Sequence, residues 1–252
     1  MIARRPMLIA ALSGVLSLML GGTVLAGETK VAVAANFTEA AKAIAAKFKA
    51  KTGHDAILSF GSSGQVYTQI ANGAPYEVFL SADVERPRKA EAEGLAVAGS
   101  RFTYATGRLV LFSKTPGLVD GKGKVLATGK FAKLSIADPK VAPYGQAAVE
   151  TLTGLKLYEA LEPKIVTGAS ITQTYQYVQT GAAELGFVAL SQVVNAPGGS
   201  RWLVPASDHT PIEQQAVLLK TGENSEAAKA FLKFLKGGEA KAIIKRYGYE
   251  AR

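Results

Sequence analysis

The sequence predicts an α/β protein of two lobes closing on a cleft, each lobe a mainly parallel sheet flanked by helices and the pair joined by two crossing strands. Three observations predict it. Apolar runs of strand length alternate with helical stretches through residues 31–94 and again through residues 134–189, and such alternation builds parallel sheets covered by helices. Two β-prone segments, residues 102–113 and 211–220, interrupt that rhythm and supply the crossings. Several helical stretches also begin directly after a strand, the arrangement that puts a ligand at the strand ends of an open α/β sheet. The boundaries expected are residues 27–105 and 214–252 for the first lobe and 106–213 for the second.

Residues 1–26 carry Arg4 and Arg5, an apolar run, two glycines and the small-residue ending Val24-Leu25-Ala26. These are the marks of a signal peptide cleaved after Ala26. An uncleaved anchor is disfavoured by the glycines and that ending, and no later stretch is apolar for long enough to cross a bilayer. No stable membrane insertion is therefore expected after cleavage. Cysteine is absent from the 252 residues, so the core must hold the exported chain without disulfides and no thiolate can bind metal. The net charge of +9 comes from lysines spread along helical stretches with few interleaved aromatics. That describes a solvated surface rather than a nucleic-acid partner.

The chain is organised around residues 31–53. Residues 31–35 read as a buried strand that stops at Asn36, a favoured N-cap, with Glu39 placed to complete a capping box. A helix start of this kind presents free N–H groups and partial positive charge, so it can bind an anion. The pattern recurs: residues 56–60 form a strand, Gly61-Ser62-Ser63-Gly64 a turn, and Ser63 caps a helix ended by Gly73. Gly61 and Gly64 would let backbone approach a ligand. A third strand, residues 77–82, leads to a short helix over 84–93.

The second series opens with a strand ending at Asp138-Pro139 and a helix over 143–155. A strand over 163–168 then meets Ser170, the cap of a helix over 171–180, and residues 184–190 form another strand. The chain closes with a helical tail over 225–247, whose phenylalanines and isoleucines pack on the first lobe.

Several function classes lack their residues. No G-x-x-x-x-G-K-[ST] phosphate loop occurs, and the G-S-S-G turn is not a G-x-S-x-G elbow. A secreted serine hydrolase using Ser62 or Ser63 would need His54 or His209 as its base, and both read as surface residues in turns. No His/Asp/Glu cluster has metal-ligand spacing.

The motifs VAVAANFTEAA, SFGSSGQ, GAPYEVFLSAD, IADPKVAPYGQAA, ELGFVALS and FLKGGEAKAIIKRYGY, in this order, resemble the periplasmic molybdate-binding proteins that serve ABC transporters. The resemblance covers almost the whole mature length. It implies a type II periplasmic binding-protein clamshell, no catalysis and no resident cofactor. The ligand would be molybdate or tungstate, and the partner a membrane permease served by a monomer in the periplasm. It also implies that Asn36 and Ser63 donate side-chain hydrogen bonds and that Tyr144 and Ile171 donate backbone N–H groups, with Thr38 and Ser62 as additional neighbours. The sequence departs from one branch of the family at Ala189, where that branch has a tyrosine touching the anion. A pocket of neutral donors suits a dianion and rejects hydrogenphosphate, whose proton needs an acceptor. The alternative on the same fold is another oxyanion or a small carboxylate, which would call for an arginine in the cleft.

Overall fold

The computed structural model describes residues 26–252, so the expected signal peptide lies outside the described residues except for Ala26. The first lobe begins with β1 (Glu28–Ala34), a 3-10 turn (Ala35–Phe37), α1 (Thr38–Thr52), β2 (Asp55–Gly61), α2 (Ser63–Ala71), β3 (Val78–Ser81), α3 (Glu85–Ala92) and β4 (Phe102–Gly107). The second holds β5 (Leu109–Ser113), α4 (Val125–Thr128), β6 (Leu134–Ala137), α5 (Pro143–Gly154), α6 (Tyr158–Leu161), β7 (Ile165–Gly168), α7 (Ile171–Thr180), β8 (Leu185–Ala189), α8 (Leu190–Val193) and β9 (Ser200–Leu203). The chain then returns to the first lobe through β10 (Ile212–Leu218), α9 (Glu226–Leu235), α10 (Gly238–Arg246) and β11 (Glu250–Ala251).

Strand order is β11-β4-β10-β3-β1-β2 in the first sheet and β7-β6-β8-β5-β9 in the second. Both sheets are mixed rather than mainly parallel. β1 pairs in parallel with β2 and β3, and β6 with β7 and β8, but the crossing strands join antiparallel. The β-prone segment 102–113 is accordingly two strands, one in each sheet, with Arg108 between them. The chain passes between lobes there and again between Leu203 and Ile212.

β1 is buried on both faces, as its apolar run requires. Val31 and Val33 pack with Ile44, Phe48 and Phe231 beneath α1 and α9, while Ala32 packs with Val66, Ile70, Phe79 and Val217 beneath α2. Phe48 and Phe231 meet edge to face at 5.3 Å, and burying each contributes about 1.5–3 kcal/mol. The expected helical tail is two helices, because it breaks at Lys236 and Gly237 before α10. A third buried cluster crosses the cleft, joining Ala34, Ala35 and Ala82 of the first lobe to Ala142, Tyr144 and Ile171 of the second. The lobes are therefore closed on each other.

Candidate functional site

At that closed seam lies a small cavity, nearly filled with the lobes closed. Asn36 lines it from the turn after β1, Ser62 and Ser63 from the start of α2, Tyr144 from the start of α5 and Ile171 from the start of α7. Alanines and Pro143 complete the wall, and no lining residue is charged. Ser63 and Ile171 are the first residues of their helices and Tyr144 the second, so their N–H groups have no intrahelical acceptor. Ser170 caps α7 as its sequence predicts, accepting the Gln173 N–H at 3.3 Å.

The hydroxyls are held ready to donate. Ser63 Oγ accepts the Ala82 N–H at 3.0 Å, which leaves its single hydrogen free. Ser62, not Ser63, is the N-cap of α2, with its N–H directed at Gln65 Oε1 at 3.4 Å. The Ser62 hydroxyl is buried and has no partner among the described residues, so it is free to meet a ligand or water.

Asn36 departs from its sequence reading. The N-cap of α1 is Phe37, Glu39 pairs with Lys42 at 2.8 Å, and Asn36 sits inside the 3-10 turn. Its Nδ2 donates to Gln214 Oε1 and to Tyr249 Oη, both at 3.0 Å. Both amide hydrogens are thus committed to a buried network, and what Asn36 can offer the cavity is its backbone N–H. The same network holds Tyr104, whose Oη donates to Gln214 Oε1 at 3.0 Å, and Ser191, whose Oγ donates to the Asn36 carbonyl at 2.8 Å. Burial, aided by neighbouring phenols, raises Tyr104 and Tyr144 far above the ordinary tyrosine range, and burial raises Tyr249 as well, so all three stay protonated donors. Sequence reasoning missed Gln214, Tyr249, Ser191 and Tyr104. A local signal was the pair Gln214-Gln215, where consecutive polar residues break the alternation of a β-prone run.

Other expected neighbours lie elsewhere. Thr38 faces a different depression and donates back to the Ala35 carbonyl at 2.8 Å. Ala189 is fully buried ahead of α8, with its N–H on Gln192 Oε1 at 2.9 Å. Gly64 approaches the other lobe rather than a ligand: its N–H reaches the Val141 carbonyl at 2.9 Å, and a Cβ would lie 2.9 Å from Val141 Cα. Arg86 pairs with Asp83 at 2.6 Å and reaches the Lys140 carbonyl at 3.2 Å across the cleft, outside the cavity.

Both histidines are buried, not superficial, at 6% and 8% exposure. His54 Nδ1 accepts the Gly27 N–H at 2.9 Å, and His209 Nδ1 lies 2.8 Å from the Thr210 carbonyl. Neither lines the cavity with Ser62 and Ser63, so no serine has a base beside it there. A wider groove of about 500 Å³ shares Ala82 and Pro143 with the cavity. It mixes Asp83, Glu85, Glu150 and Glu213 with Arg86 and Lys140, a lining unsuited to a dianion.

The chain has relatives that share this architecture. It is 59% identical over 224 residues to the molybdate-binding protein ModA of Rhodobacter capsulatus, covering 89% of this chain and 88% of that protein. The ModA protein of Azotobacter vinelandii is 56% identical over 227 residues, covering 89% and 90%. The solved structure of the Azotobacter vinelandii periplasmic molybdate-binding protein superposes with a TM-score of 0.87 over 89% of this chain and 99% of that one, at 46% identity. A family model described as bacterial extracellular solute-binding protein matches residues 29–250, and the chain belongs to that family.

Proposed function

We propose that the protein captures molybdate, and tungstate with it, in the interlobe cavity and delivers the anion to the membrane permease of an ABC transporter. The observation that carries this reading is an uncharged cavity ringed by donors: the free hydrogens of Ser62 and Ser63 and the first-turn N–H groups at Ser63, Tyr144 and Ile171. Each helix start adds about 0.3–1 kcal/mol toward an anion, up to about 2 when partly buried, and charge-assisted hydrogen bonds add more. A fully deprotonated tetrahedral dianion uses every donor, whereas hydrogenphosphate brings a proton that needs an acceptor. Sulfate carries the same charge and is smaller, so only looser contact with the same donors separates it from molybdate. The identity to proteins named for molybdate supports the ligand. Residues 1–26 direct export to the periplasm, and no helix among the described residues is long and apolar enough to cross a membrane. The protein works as a monomeric carrier and not as a catalyst.

Calorimetry on the mature protein tests the ligand. Molybdate and tungstate are expected to bind far more tightly than sulfate or phosphate. Sulfate or phosphate binding as tight as molybdate would refute the assignment while leaving the fold intact.

A further inference from the structure

We propose that Ser191 and Gln214, with Tyr249, form an interlobe latch on the Asn36 turn, so that they are positioning residues governing how slowly the bound anion is released. This rests on the anion-binding reading of the cavity. None of the three lines the cavity itself.

The Asn36 carbonyl accepts from two hydroxyls, Tyr249 Oη at 2.6 Å and Ser191 Oγ at 2.8 Å, and those hydroxyls lie 3.0 Å apart. Asn36 and Tyr249 belong to the first lobe, while Ser191 belongs to α8 of the second. The Ser191 bond can therefore exist only when the lobes are closed. It acts on a residue that lines the cavity.

Gln214 organises the same turn from the hinge. It is fully buried on β10, just beyond the point where the chain re-enters the first lobe. Its Oε1 holds Asn36 and Tyr104 of the first lobe, and its Nε2 reaches Tyr144 Oη of the second at 3.4 Å. The register of β10 on β4 slips between Gln214 and Gln215, which oppose Ala105 and Thr103 and leave Tyr104 as the extra residue of β4, while Gln215 turns away to Arg101 and Thr103. Such a bulge re-aims a side chain and is a recurrent device beside sites. The other crossing makes room for it: a Cβ on Gly107 would lie 2.1 Å from Tyr144 Oη and 2.8 Å from Gln214 Nε2.

The bonds divide into two kinds. Asn36 to Gln214, Asn36 to Tyr249 and Tyr104 to Gln214 lie within the first lobe and persist when the cleft opens, so the turn stays ordered for capture. Ser191 to Asn36 and Gln214 to Tyr144 cross the cleft and stabilise only the closed state. Bonds of the second kind leave association unchanged and slow dissociation, because only the closed form gains from them.

Stopped-flow intrinsic fluorescence with molybdate, tungstate, sulfate and phosphate, on wild type, Ser191→Ala, Ser191→Thr and Gln214→Leu, separates these rates. For Ser191→Ala the dissociation rate is expected to rise roughly three- to tenfold with the association rate unchanged, and Ser191→Thr, which keeps the hydroxyl, should stay near wild type. Gln214→Leu should also slow association, since it disorders the open turn. A wild type that binds molybdate while Ser191→Ala releases it at the wild-type rate overturns the latch alone, as does a Ser191→Thr variant as fast as Ser191→Ala. Binding of sulfate or phosphate instead of molybdate overturns the ligand assignment, and the latch is then read with that anion. Failure of wild type to bind any of the four overturns both.

Discussion

Ser63→Ala separates two roles that one oxygen plays. Ser63 Oγ is almost fully buried and accepts the Ala82 N–H at 3.0 Å, which turns its own hydrogen toward the cavity. Losing a charge-assisted hydrogen bond to a dianion costs about 1.5–3 kcal/mol, so molybdate affinity should fall by roughly 10- to 150-fold. Losing the acceptor leaves the Ala82 N–H buried and unpaired, which costs about 1–3 kcal/mol of folding stability even without ligand. Calorimetry reads the first effect and urea denaturation of the ligand-free protein reads the second. Ser63→Thr keeps the hydroxyl and should recover most of both. Unchanged affinity in a folded Ser63→Ala protein of lowered stability would refute the reasoning, since Oγ would then serve only to hold Ala82.

Three further outcomes follow from the same geometry. Ile171→Pro should lower molybdate affinity much more than Ile171→Val does by calorimetry: proline is welcome at a first helical position and after the extended Ser170, but it has no N–H to give. His54→Ala should reduce stability by about 0.5–3 kcal/mol, because it removes a buried ring stacked on Phe48. Its affinity should be unchanged, since His54 precedes β2 while Ser62 follows it, a strand length of roughly 20 Å away. In alkaline titration followed by phenolate absorbance, Tyr104, Tyr144 and Tyr249 should stay silent until the protein unfolds. Their folded pKa values lie above the unfolded value of about 10, so the stability they confer is complete below that pH and is lost as pH rises past it. All nine tyrosines ionising near pH 10 in the folded protein would contradict this.

The sequence was informative where structure is local. The strand at residues 56–60, the cap at Ser170 and the helix opening at Pro143 are decided by neighbours within a few positions, and each stands where its pattern put it. Gly107 is a different case. Read alone it is a soft spot in a long β-prone run, and its meaning comes from Tyr144, whose hydroxyl occupies the space a side chain would fill. His54 and His209 were misread for the same reason, since a polar residue after a glycine or before a proline looks like a turn until distant chain buries it.

Asn36 shows how local logic can find the right residue for the wrong reason. Capping rules pointed to it because a strand ends and a helix begins there, and it does line the cavity. Its side chain, however, answers to Gln214 and Tyr249, which lie 178 and 213 positions along the chain. No window of propensity or periodicity spans that separation. What the chain does carry is a local irregularity at the far end of each contact: two glutamines in succession where a strand should alternate, and a second tyrosine, Tyr249, just past the glycine that follows the last helix. Each is unfavourable or unexplained within its own segment, and each becomes intelligible once β10 and β11 bring it to the turn after β1. On the proposed function, capture depends on donors whose positions are fixed by nearby sequence. Retention, on the proposed latch, depends on a polar network that exists only after distant parts of the chain have met.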